Sequence, residues 1–331
     1  MTVPTLRVTG TESDRALPWI TACVCTHNRS DYLRDCLDGL RAQTVGPDAF
    51  DILIVDSGSS AGEAFEIAAL VAGVRNARLI RVDRPGLSLA RNTAASSGAA
   101  GYMAFLDDDA VPAANWIAEI HVIVGNRFPA PAMVAGAIWP LWEAPLPRWW
   151  PPNLHGVLSI IETQGQGEFR RNGVAHTLEP YGANMIISIS ELVAQGGFLE
   201  SIGRTGKTLL SDEEKVLAWH IQDRGNTVLY ASTVYVYHQI QAERLTISWL
   251  LTRMYWQGVS RVRSARYLGG EYCSRRELFR RLLVFMVLAP VALIPSACTW
   301  FISLRWRWAY AHGFLRALTH GRMGVWTVKR R

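Results

Sequence analysis

The chain has 331 residues, of which 49% are hydrophobic and 19% charged, and its formal net charge is +6. This length accommodates one large domain with a smaller appendage. Residues 261–331 carry a net charge of +12, so residues 1–260 carry −6. The basic clusters flank an apolar stretch and do not alternate with aromatic residues, which favours anionic lipid as their partner and argues against nucleic acid. The five cysteines include no C-x-x-C pair, so no disulfide framework is expected.

The first part of the chain alternates short apolar runs with helical periodicity. Residues 1–18 contain no apolar run typical of a signal peptide, and we predict a flexible lead there. Strands are predicted over 20–25, 52–55, 77–82 and 103–106, each followed by a helical pattern. Pro112 suits the first turn of the last of these helices. This alternation predicts an α/β fold, with a mostly parallel sheet and helices on both of its faces.

The middle of the chain is less regular and is rich in tryptophan and proline. Trp139-Pro-Leu-Trp142 and Pro147-Arg-Trp-Trp150-Pro-Pro152 break both periodic patterns. One interpretation is a proline-fixed loop whose indoles pack on the core. The other is a loop that faces the acceptor or a membrane, since tryptophan favours such interfaces. Beyond this segment we predict a helix over 211–224 and a strand over 228–237.

Acidic side chains follow the predicted strands at the points where they end. Asp107-Asp108-Asp109 follows one buried strand, and Asp56 ends another in a Gly/Ser turn. Adjacent carboxylates repel one another unless a cation lies among them, and a hard divalent cation is the usual solution. His238 closes a third strand, and such strand ends can converge at one edge of an open α/β sheet. The alternative is a helix-capping cluster, which needs only one of the three acids.

The C-terminal part contains a long uncharged stretch. Residues 282–304 carry no charged side chain, and at ~1.5 Å per residue they are long enough to cross a hydrocarbon core of ~30 Å. Arginines flank the stretch on both sides, and tryptophans cluster at one end. We therefore predict a membrane segment. Pro290 and Pro295 leave a single span and a kinked hairpin as alternatives, and a buried core helix is a third.

Eight short motifs in this order resemble those of a known family. The first four are Cys25-Thr-His-Asn-Arg29, Val55-Asp-Ser-Gly-Ser59, Gly86-Leu-Ser-Leu-Ala-Arg-Asn92 and Phe105-Leu-Asp-Asp-Asp109. The others are Gly182-Ala-Asn184, Gly196-Gly-Phe198, Asp212-Glu-Glu214 and Val236-Tyr-His238. Together they resemble the family 2 glycosyltransferases, whose catalytic domain has the Rossmann-like GT-A fold. The resemblance covers about residues 19–260.

The resemblance implies that the first half of the chain binds a nucleotide-sugar donor. Thr26 and Asn28 would line the base and ribose pocket. Asp56 would accept a hydrogen bond from the base, for which uracil N3–H is the natural donor. Many relatives carry a second acid where this chain has Ser57. Arg91 would reach the nucleotide from its helix.

The resemblance also implies a metal ion, either Mn²⁺ or Mg²⁺. Asp107 would lie near the ribose and the metal, Asp109 would bind the metal directly, and His238 would complete the coordination. Mn²⁺ tolerates imidazole better than Mg²⁺ does, which favours manganese. Arg244 and Arg253 lie in a segment that resembles one found after the histidine in several bacterial members. That segment would bind phosphate or the acceptor. The alternative is a helix that only packs against the rest of the chain.

Two adjacent acids at the start of the helix over 211–224 are candidates for the catalytic base. Glycosyl transfer with inversion needs a carboxylate that accepts the proton of the acceptor hydroxyl. Counted back from Gly225, the Glu-Asp pair of the family falls on Glu213-Glu214, so Glu214 is the predicted base and Glu213 the second candidate. Successive helical residues point about 100° apart, so only one can address the hydroxyl. Glu213 is then assigned to solvent, the helix end or a supporting contact.

These expectations combine into a metal-dependent, inverting glycosyltransferase anchored at the cytoplasmic face of a bacterial inner membrane. Its donor would be a nucleotide-diphosphate sugar, UDP-linked by preference, and its acceptor a saccharide or a polyprenyl-linked saccharide of a surface polysaccharide. A retaining enzyme of the same fold is one alternative, and a non-catalytic nucleotide-sugar-binding scaffold is another. The predicted parts are a lead (1–18), the GT-A domain (19–240), a helical basic connector (241–281), the membrane segment (282–304) and a basic tail (305–331).

Overall fold

Strand–helix units build the first part of the described chain. The computed structural model describes residues 17–97, 101–170, 178–206, 208–268, 274–292, 294 and 298–320. The first four strands are β1 (Ile20–Thr26), β2 (Asp51–Ser57), β3 (Ala77–Val82) and β4 (Tyr102–Asp107), and the helices between them are α1 (Ser30–Arg41), α2 (Ala61–Ala72) and α3 (Leu87–Ser97). β2 pairs with β1 and β3, β1 pairs with β4, and all three pairings are parallel. The predicted alternation of strand and helix is confirmed.

The second part of the domain makes this a mixed sheet. Its strands are β5 (Ala110–Pro112), β6 (Met133–Trp142), β7 (Gln166–Glu168), β8 (Met185–Ser188) and β9 (Val228–Ile240), and its helices are α4 (Trp116–Gly125), α5 (Ile189–Ala194) and α6 (Glu213–Asp223). The strand order is β3-β2-β1-β4-β8-β6-β9-β5, with β7 paired to β9. β8 is antiparallel to β4 and β6, and β5 and β7 are antiparallel to β9, whereas β6 is parallel to β9.

The direction of the later strands and the position of Pro112 differ from the prediction. A mostly parallel sheet is correct for β1–β4 and for the pairing of β6 with β9, and wrong for β5, β7 and β8, because a short strand has the same hydrophobic pattern in either direction. Pro112 ends β5 opposite Val236, and α4 begins only at Trp116. β5 lies at the edge of the sheet, where a residue without an N–H is tolerated.

Helices cover the sheet on both faces. Ile20, Ala22 and Val24 of β1 belong to one apolar cluster with side chains of α1, α2 and α4. Cys23 belongs to a second cluster with side chains of α3, α5 and α6. Successive strand residues face opposite sides of a sheet, so burial on both faces produces the uninterrupted apolar runs seen in the sequence. The predicted placement of helices on both faces is confirmed.

The tryptophan-rich segment packs against the C-terminal helices. Side chains of α7 (Ile247–Leu268) and α9 (Thr299–His320) share an apolar cluster with buried Trp150 and with partly buried Trp142 and Trp149. A 3-10 helix, Pro152–Leu158, follows this segment. Of the two interpretations of the segment, packing on the core therefore holds for these indoles.

Two glycines allow α7 and α9 to approach each other closely. A β-carbon on Gly258 would collide with the carbonyl oxygen of Tyr310, and one on Gly313 would collide with that of Tyr255. The remaining helix, α8 (Arg275–Ala292), also contacts α9. The ring of Phe285 stacks there on Trp308, with 5.4 Å between the ring centroids. Both α7 and α8 therefore pack against α9.

The apolar stretch over 282–304 does not form a single helix. α8 ends at Ala292 and α9 begins at Thr299, and no helix within the described ranges is long and apolar enough to cross a membrane. A single span therefore has no support among the described residues. The hairpin stays a prediction. Residues 1–16 of the predicted lead, residues 321–331 of the predicted tail and Pro295 lie outside the described residues.

Candidate active site

A cavity opens at the carboxyl ends of the central strands. Its volume is about 450 Å³. Its wall includes Thr26 from β1, Ser57 from β2, Asp107 from β4 and His238 from β9, together with side chains of α6 and α7. Open α/β sheets bind their ligands at this edge. The strand ends that the sequence predicted to converge therefore border one cavity.

Asp107, Asp109 and His238 form a cluster in the wall of this cavity. A ligand atom of each lies within 4.8 Å of those of the other two. The pairing of β5 with β9 places Ala110 opposite His238, and the amide of Gln239 donates to the carbonyl oxygen of Asp109 at 2.8 Å. Backbone pairing thus positions the histidine beside the acid.

The Asp109 carboxylate has one oxygen fully engaged and one without a hydrogen bond. Oδ2 accepts from Arg29 Nη2 at 2.8 Å, from Gln241 Nε2 at 3.0 Å and from Arg244 Nη2 at 3.0 Å. Oδ1 is buried and accepts no hydrogen bond within the described part of the chain, and His238 Nε2 lies 3.2 Å from it. Burial alone would raise the pKa of Asp109, but His238, Arg244 and Arg29 hold this pKa well below its usual range. Asp109 is therefore an anion at neutral pH.

The second ring nitrogen of His238, Nε2, faces the oxygen of Asp109 that accepts no hydrogen bond from the described residues. Its Nδ1 lies 3.1 Å from the carbonyl oxygen of Leu158, and because a carbonyl only accepts, Nδ1 carries the proton. In the neutral ring the lone pair of Nε2 then faces Asp109 Oδ1, and the two repel unless a proton or a cation lies between them. A backbone carbonyl on the other ring nitrogen is typical of a metal-binding histidine. With Asp107 as a further oxygen ligand, these residues fit Mn²⁺ or Mg²⁺.

Asp108, the middle acid, organises the start of α1. It is buried and accepts hydrogen bonds from Thr26 Oγ1 at 2.8 Å and from Arg29 Nη1 at 2.7 Å. Burial raises the pKa of Asp108 to about 7, although Arg29 opposes the shift. The alternative of a helix-capping cluster is wrong, because α4 begins at Trp116 after Asn115.

Asn28 and Asp56, which were predicted to bind the nucleotide base, hold the turn after β2. The amide of Asn28 donates to Ser59 Oγ, and the amide of Ser60 donates to Asn28 Oδ1, both at 2.8 Å. Asp56 is buried, accepts from the amide of Ser59 at 3.0 Å and lies 3.4 Å from Arg81 Nη1. Neither residue lines the cavity, whereas Thr26 does. Their contact with a base stays a prediction.

Arg91 lies in the cavity wall among three carboxylates. Its Nη1 donates to Glu214 Oε1 at 2.9 Å and to Glu213 Oε1 at 3.2 Å, and its Nη2 lies 3.4 Å from Asp107 Oδ1. Burial alone would lower the pKa of Arg91, but the three acids raise it above the usual value. A β-carbon on Gly182 would collide with the guanidinium and with Glu214. Glycine at 182 therefore lets Arg91 connect the metal-site acids to the candidate bases.

The two candidate bases have different surroundings. Glu213 is only 3% exposed, and its Oε2 is buried without a hydrogen-bond partner in the described residues. Burial, and then repulsion by Glu214, raise the pKa of Glu213 to about 8. Glu214 has a side chain that is 14% exposed, and both acids line the cavity. Glu213 was predicted to face solvent, the helix end or a supporting contact. The structure shows the supporting contact, which is with Arg91.

Sequence reasoning did not identify Arg29 and Gln241 as site residues. Gln241 precedes a 3-10 turn, Ala242–Leu245, that follows β9. The sequence Gln241-Ala-Glu-Arg244 places an amide and a guanidinium directly after the strand that carries His238. This spacing is the sequence signal that could have identified Gln241. Arg29 ends the first of the motifs and pairs with both Asp108 and Asp109.

Comparisons with known proteins agree with this fold. Residues 21–121 match the model of glycosyl transferase family 2. The chain is 27% identical over 247 residues to a glucosyl-dolichyl phosphate glucuronosyltransferase of Haloferax volcanii, covering 73% of this chain and 76% of that protein. It is 23% identical over 285 residues to the succinoglycan biosynthesis protein ExoM of Rhizobium meliloti, covering 83% and 84%.

Two solved structures share the fold. The mannosyltransferase PcManGT from Pyrobaculum calidifontis, in complex with GDP-Man and Mn²⁺, has a TM-score of 0.56 at 15% identity and covers 91% of this chain and 88% of that one. S. aureus TarS 1-349, in complex with UDP-GlcNAc, has a TM-score of 0.51 at 13% identity and covers 91% of both chains. These two likenesses show that the chain has the GT-A fold. Residues 21–121 carry a glycosyl transferase family 2 domain, and the chain is a glycosyltransferase.

Proposed function

We propose that this protein is a metal-dependent, inverting glycosyltransferase of bacterial surface polysaccharide synthesis. Its donor is a nucleotide-diphosphate sugar, UDP-linked by preference, and its acceptor is a saccharide or a polyprenyl-linked saccharide. The observation that carries the proposal is the convergence of Asp107, Asp109 and His238 with Arg91 and Glu214 on one cavity. That set supplies a metal site and a candidate base at the sheet edge where such folds bind ligands.

The metal site supports the donor part of the proposal. Asp109 Oδ1 has no hydrogen-bond partner in the described structure, His238 Nε2 lies 3.2 Å from it, and Asp107 adds a carboxylate. A divalent cation held there would offset the negative charge that develops on the leaving diphosphate. Arg29 and Arg244 hold the other oxygen of Asp109 and so fix its orientation.

The surroundings of the two glutamates support Glu214 as the base. Glu213, with a pKa raised to about 8, retains its proton at neutral pH and cannot accept another. Glu214 is oriented by Arg91 and lines the cavity. In the proposed step the acceptor hydroxyl oxygen bonds to the anomeric carbon and its proton passes to Glu214. The bond between that carbon and the diphosphate oxygen breaks, and the nucleoside diphosphate leaves with the electron pair.

An exposed apolar face on α8 supports a location at the membrane surface. Five side chains on this helix are between 44% and 70% exposed: Phe279, Leu282, Leu283, Met286 and Val287. Their spacing of three and four residues places them on one face. Arg275 and Arg276 lie exposed at the start of the same helix, so an anionic bilayer complements both its charge and its apolar face. In this proposal α8 lies in the plane of the membrane at the cytoplasmic face of the inner membrane.

A donor panel tests the proposed activity. The full chain is incubated with Mn²⁺ and with UDP-, GDP- and TDP-linked sugars, and the released nucleoside diphosphate is measured without acceptor. Slow hydrolysis of one donor class is expected, since water reaches the site of an unoccupied acceptor. A non-catalytic scaffold would bind a donor and release nothing from it, and that result, repeated with polyprenyl-linked acceptors present, would favour the scaffold.

A further inference from the structure

Asn184 is a buried polar residue that does not line the cavity. It ends the 3-10 turn Gly182–Asn184, directly before β8, and it is completely shielded from solvent. Its Oδ1 accepts from Trp116 Nε1 at 3.0 Å, and its Nδ2 donates to the carbonyl oxygens of Ala137 at 2.9 Å and Val234 at 3.0 Å. An indole N–H can only donate, so Trp116 orients the amide with its two donors towards the two carbonyls.

The two carbonyls belong to β6 and β9 at the point where the register of these strands shifts. Gly136 on β6 pairs with Ala231 on β9, whereas the next residue of β6, Ala137, pairs with Tyr235. β6 advances there by one residue and β9 by four. The strand β9 therefore contains a bulge of three residues, 232–234.

The side chain of Asn184 occupies the space at this bulge. Its amide bridges Val234, the last residue of the bulge, to Ala137, where the pairing of the two strands resumes. A β-carbon on Gly136 would collide with Asn184 Nδ2 and with the carbonyl oxygen of Val234. Glycine at 136 therefore lets the amide reach both strands. Without the amide, two buried carbonyls would lose their donor, which is costly.

The register after the bulge determines where His238 lies. Beyond the bulge β9 pairs with β5, and His238 lies opposite Ala110, directly beside Asp109. In the same register the amide of Gln239 donates to the carbonyl oxygen of Asp109. Successive side chains of a strand face opposite sides of the sheet, so a bulge longer or shorter by one residue would turn His238 away from the cavity. The distance of 3.2 Å between His238 Nε2 and Asp109 Oδ1 thus depends on a bulge of this length.

We propose that Asn184 is a positioning residue of the metal site, because its amide holds the bulge at three residues and so sets the register in which His238 meets Asp109. The inference rests on the proposed function for the role of the metal, whereas the contacts that define the register are independent of it. Gly182, in the same turn, leaves room for Arg91. This one turn therefore supports both the metal site and the arginine that orients the proposed base.

Two substitutions of Asn184 and a matched control test this role. Asn184→Leu removes both donors from the carbonyls, whereas Asn184→Ser leaves room for water to bridge them. The control is Tyr102→Phe, which also removes a buried hydrogen bond to a carbonyl, that of Pro131, but away from the bulge. The measurements on the full chain are Mn²⁺ affinity by electron paramagnetic resonance, hydrogen exchange over residues 235–240 without metal, and the melting temperature.

A positioning role and a merely stabilising role give different results. Both Asn184 variants are expected to bind Mn²⁺ ~10–100-fold more weakly, the loss typical when a group that orients a metal ligand is removed. Exchange over 235–240 should be faster in them than in the wild type. Tyr102→Phe should lower the melting temperature and keep the wild-type Mn²⁺ affinity and exchange. Wild-type Mn²⁺ affinity or wild-type exchange in Asn184→Ser would overturn the proposal.

The length of the bulge is tested separately, which decides the matter if neither Asn184 variant folds. Thr233 is an exposed residue of the bulge, so its deletion shortens the bulge by one residue and leaves Asn184 intact. The deletion should abolish Mn²⁺ binding by turning His238 away, whereas Thr233→Ala, the control, should bind like the wild type. Wild-type affinity in the deletion variant would overturn the proposal. Absence of Mn²⁺ binding in the wild type would contradict the proposed function, and exchange over 235–240 would then decide whether Asn184 sets the register.

Discussion

The central strands and helix α8 use similar apolar residues in opposite ways. Ile20, Ala22, Cys23 and Val24 of β1 are completely buried, because helices cover both faces of the sheet. α8 has no buried residue, and its five most apolar exposed side chains share one face. Apolar residues of the strands therefore stabilise the fold that positions the acids. The exposed apolar side chains of α8 contribute little to the described fold. Their spacing on one face is better explained by contact with the proposed membrane surface.

The largest expected effect is on the chemistry at the end of the sheet. Glu214→Gln keeps the shape of the side chain but cannot accept a proton, and loss of a general base typically costs ~10²–10⁴-fold in rate. Glu213→Gln should cost much less, because Glu213 is already protonated at neutral pH. The measurement is kcat for both variants, with donor and Mn²⁺ affinities as a check on the site. A dead Glu213→Gln beside an active Glu214→Gln would reverse the assignment.

The next effect concerns the metal cluster. Loss of a hydrogen-bonding partner that orients a metal ligand typically costs ~10–100-fold in metal affinity, so loss of the ligand itself in His238→Gln should cost at least as much. Mn²⁺ binding is measured by electron paramagnetic resonance on the folded variant. His121→Gln on α4 is the control, since His121 does not line the cavity. Equal Mn²⁺ affinity in the wild type and His238→Gln would remove this histidine from the site.

A third effect tests the apolar face of α8. Insertion of Phe279 and Met286 into a bilayer would contribute ~1.5–3 kcal/mol for each side chain. The affinity of the double variant Phe279→Asp, Met286→Asp for vesicles of phosphatidylglycerol and phosphatidylcholine should therefore be lower by about tenfold or more. Phe65→Asp changes an exposed phenylalanine on α2 and should bind like the wild type. Sedimentation with vesicles measures both. Unchanged binding of the double variant, or no binding by the wild type, would contradict the membrane proposal.

The smallest effect is the pH dependence of stability at Glu213. Its pKa is about 8 in the folded protein and about 4.5 unperturbed, so its protonated form stabilises the fold at low pH and this contribution is lost as the pH rises through 8. Glutamine mimics the protonated form, and Glu213→Gln should therefore raise the melting temperature more at pH 9 than at pH 5. Glu66→Gln on the exposed side of α2 should show no such difference. Melting curves of both variants at the two pH values measure this difference. If the melting temperatures of the two variants change alike, the prediction is contradicted.

Hydrophobic pattern and motif order predicted the first four strands, the helices on both faces and the acids at the strand ends. The reversal of β8 was not predictable, because strand direction leaves no trace in a four-residue apolar run. Hydrogen bonds between side chains far apart in sequence were also beyond prediction. Gln241 meets Asp109 across 132 residues, and Arg91 meets Glu214 across 123. Both contacts depend on the assembled sheet edge.

The prediction of a membrane segment near the C-terminus rested on hydropathy and on the residues that flank the apolar stretch. An uncharged run of this length satisfies the hydropathy expected of a membrane span, but that measure ignores where the helix ends. The structure ends α8 at Ala292, two residues after Pro290, and α9 continues into a segment that contains arginines. The exposed face of α8 is recognisable only from the burial of its side chains, because burial depends on which residues of α9 contact it.

The central claim is that Asp107, Asp109 and His238 hold a divalent cation required for sugar transfer. The most direct test measures release of nucleoside diphosphate by the full chain in excess chelator, before and after addition of Mn²⁺ above the chelator concentration. The account predicts that release falls to background in chelator and returns with Mn²⁺ in the wild type, and that Mn²⁺ does not restore it in Asp109→Asn. Undiminished release in excess chelator would contradict the claim.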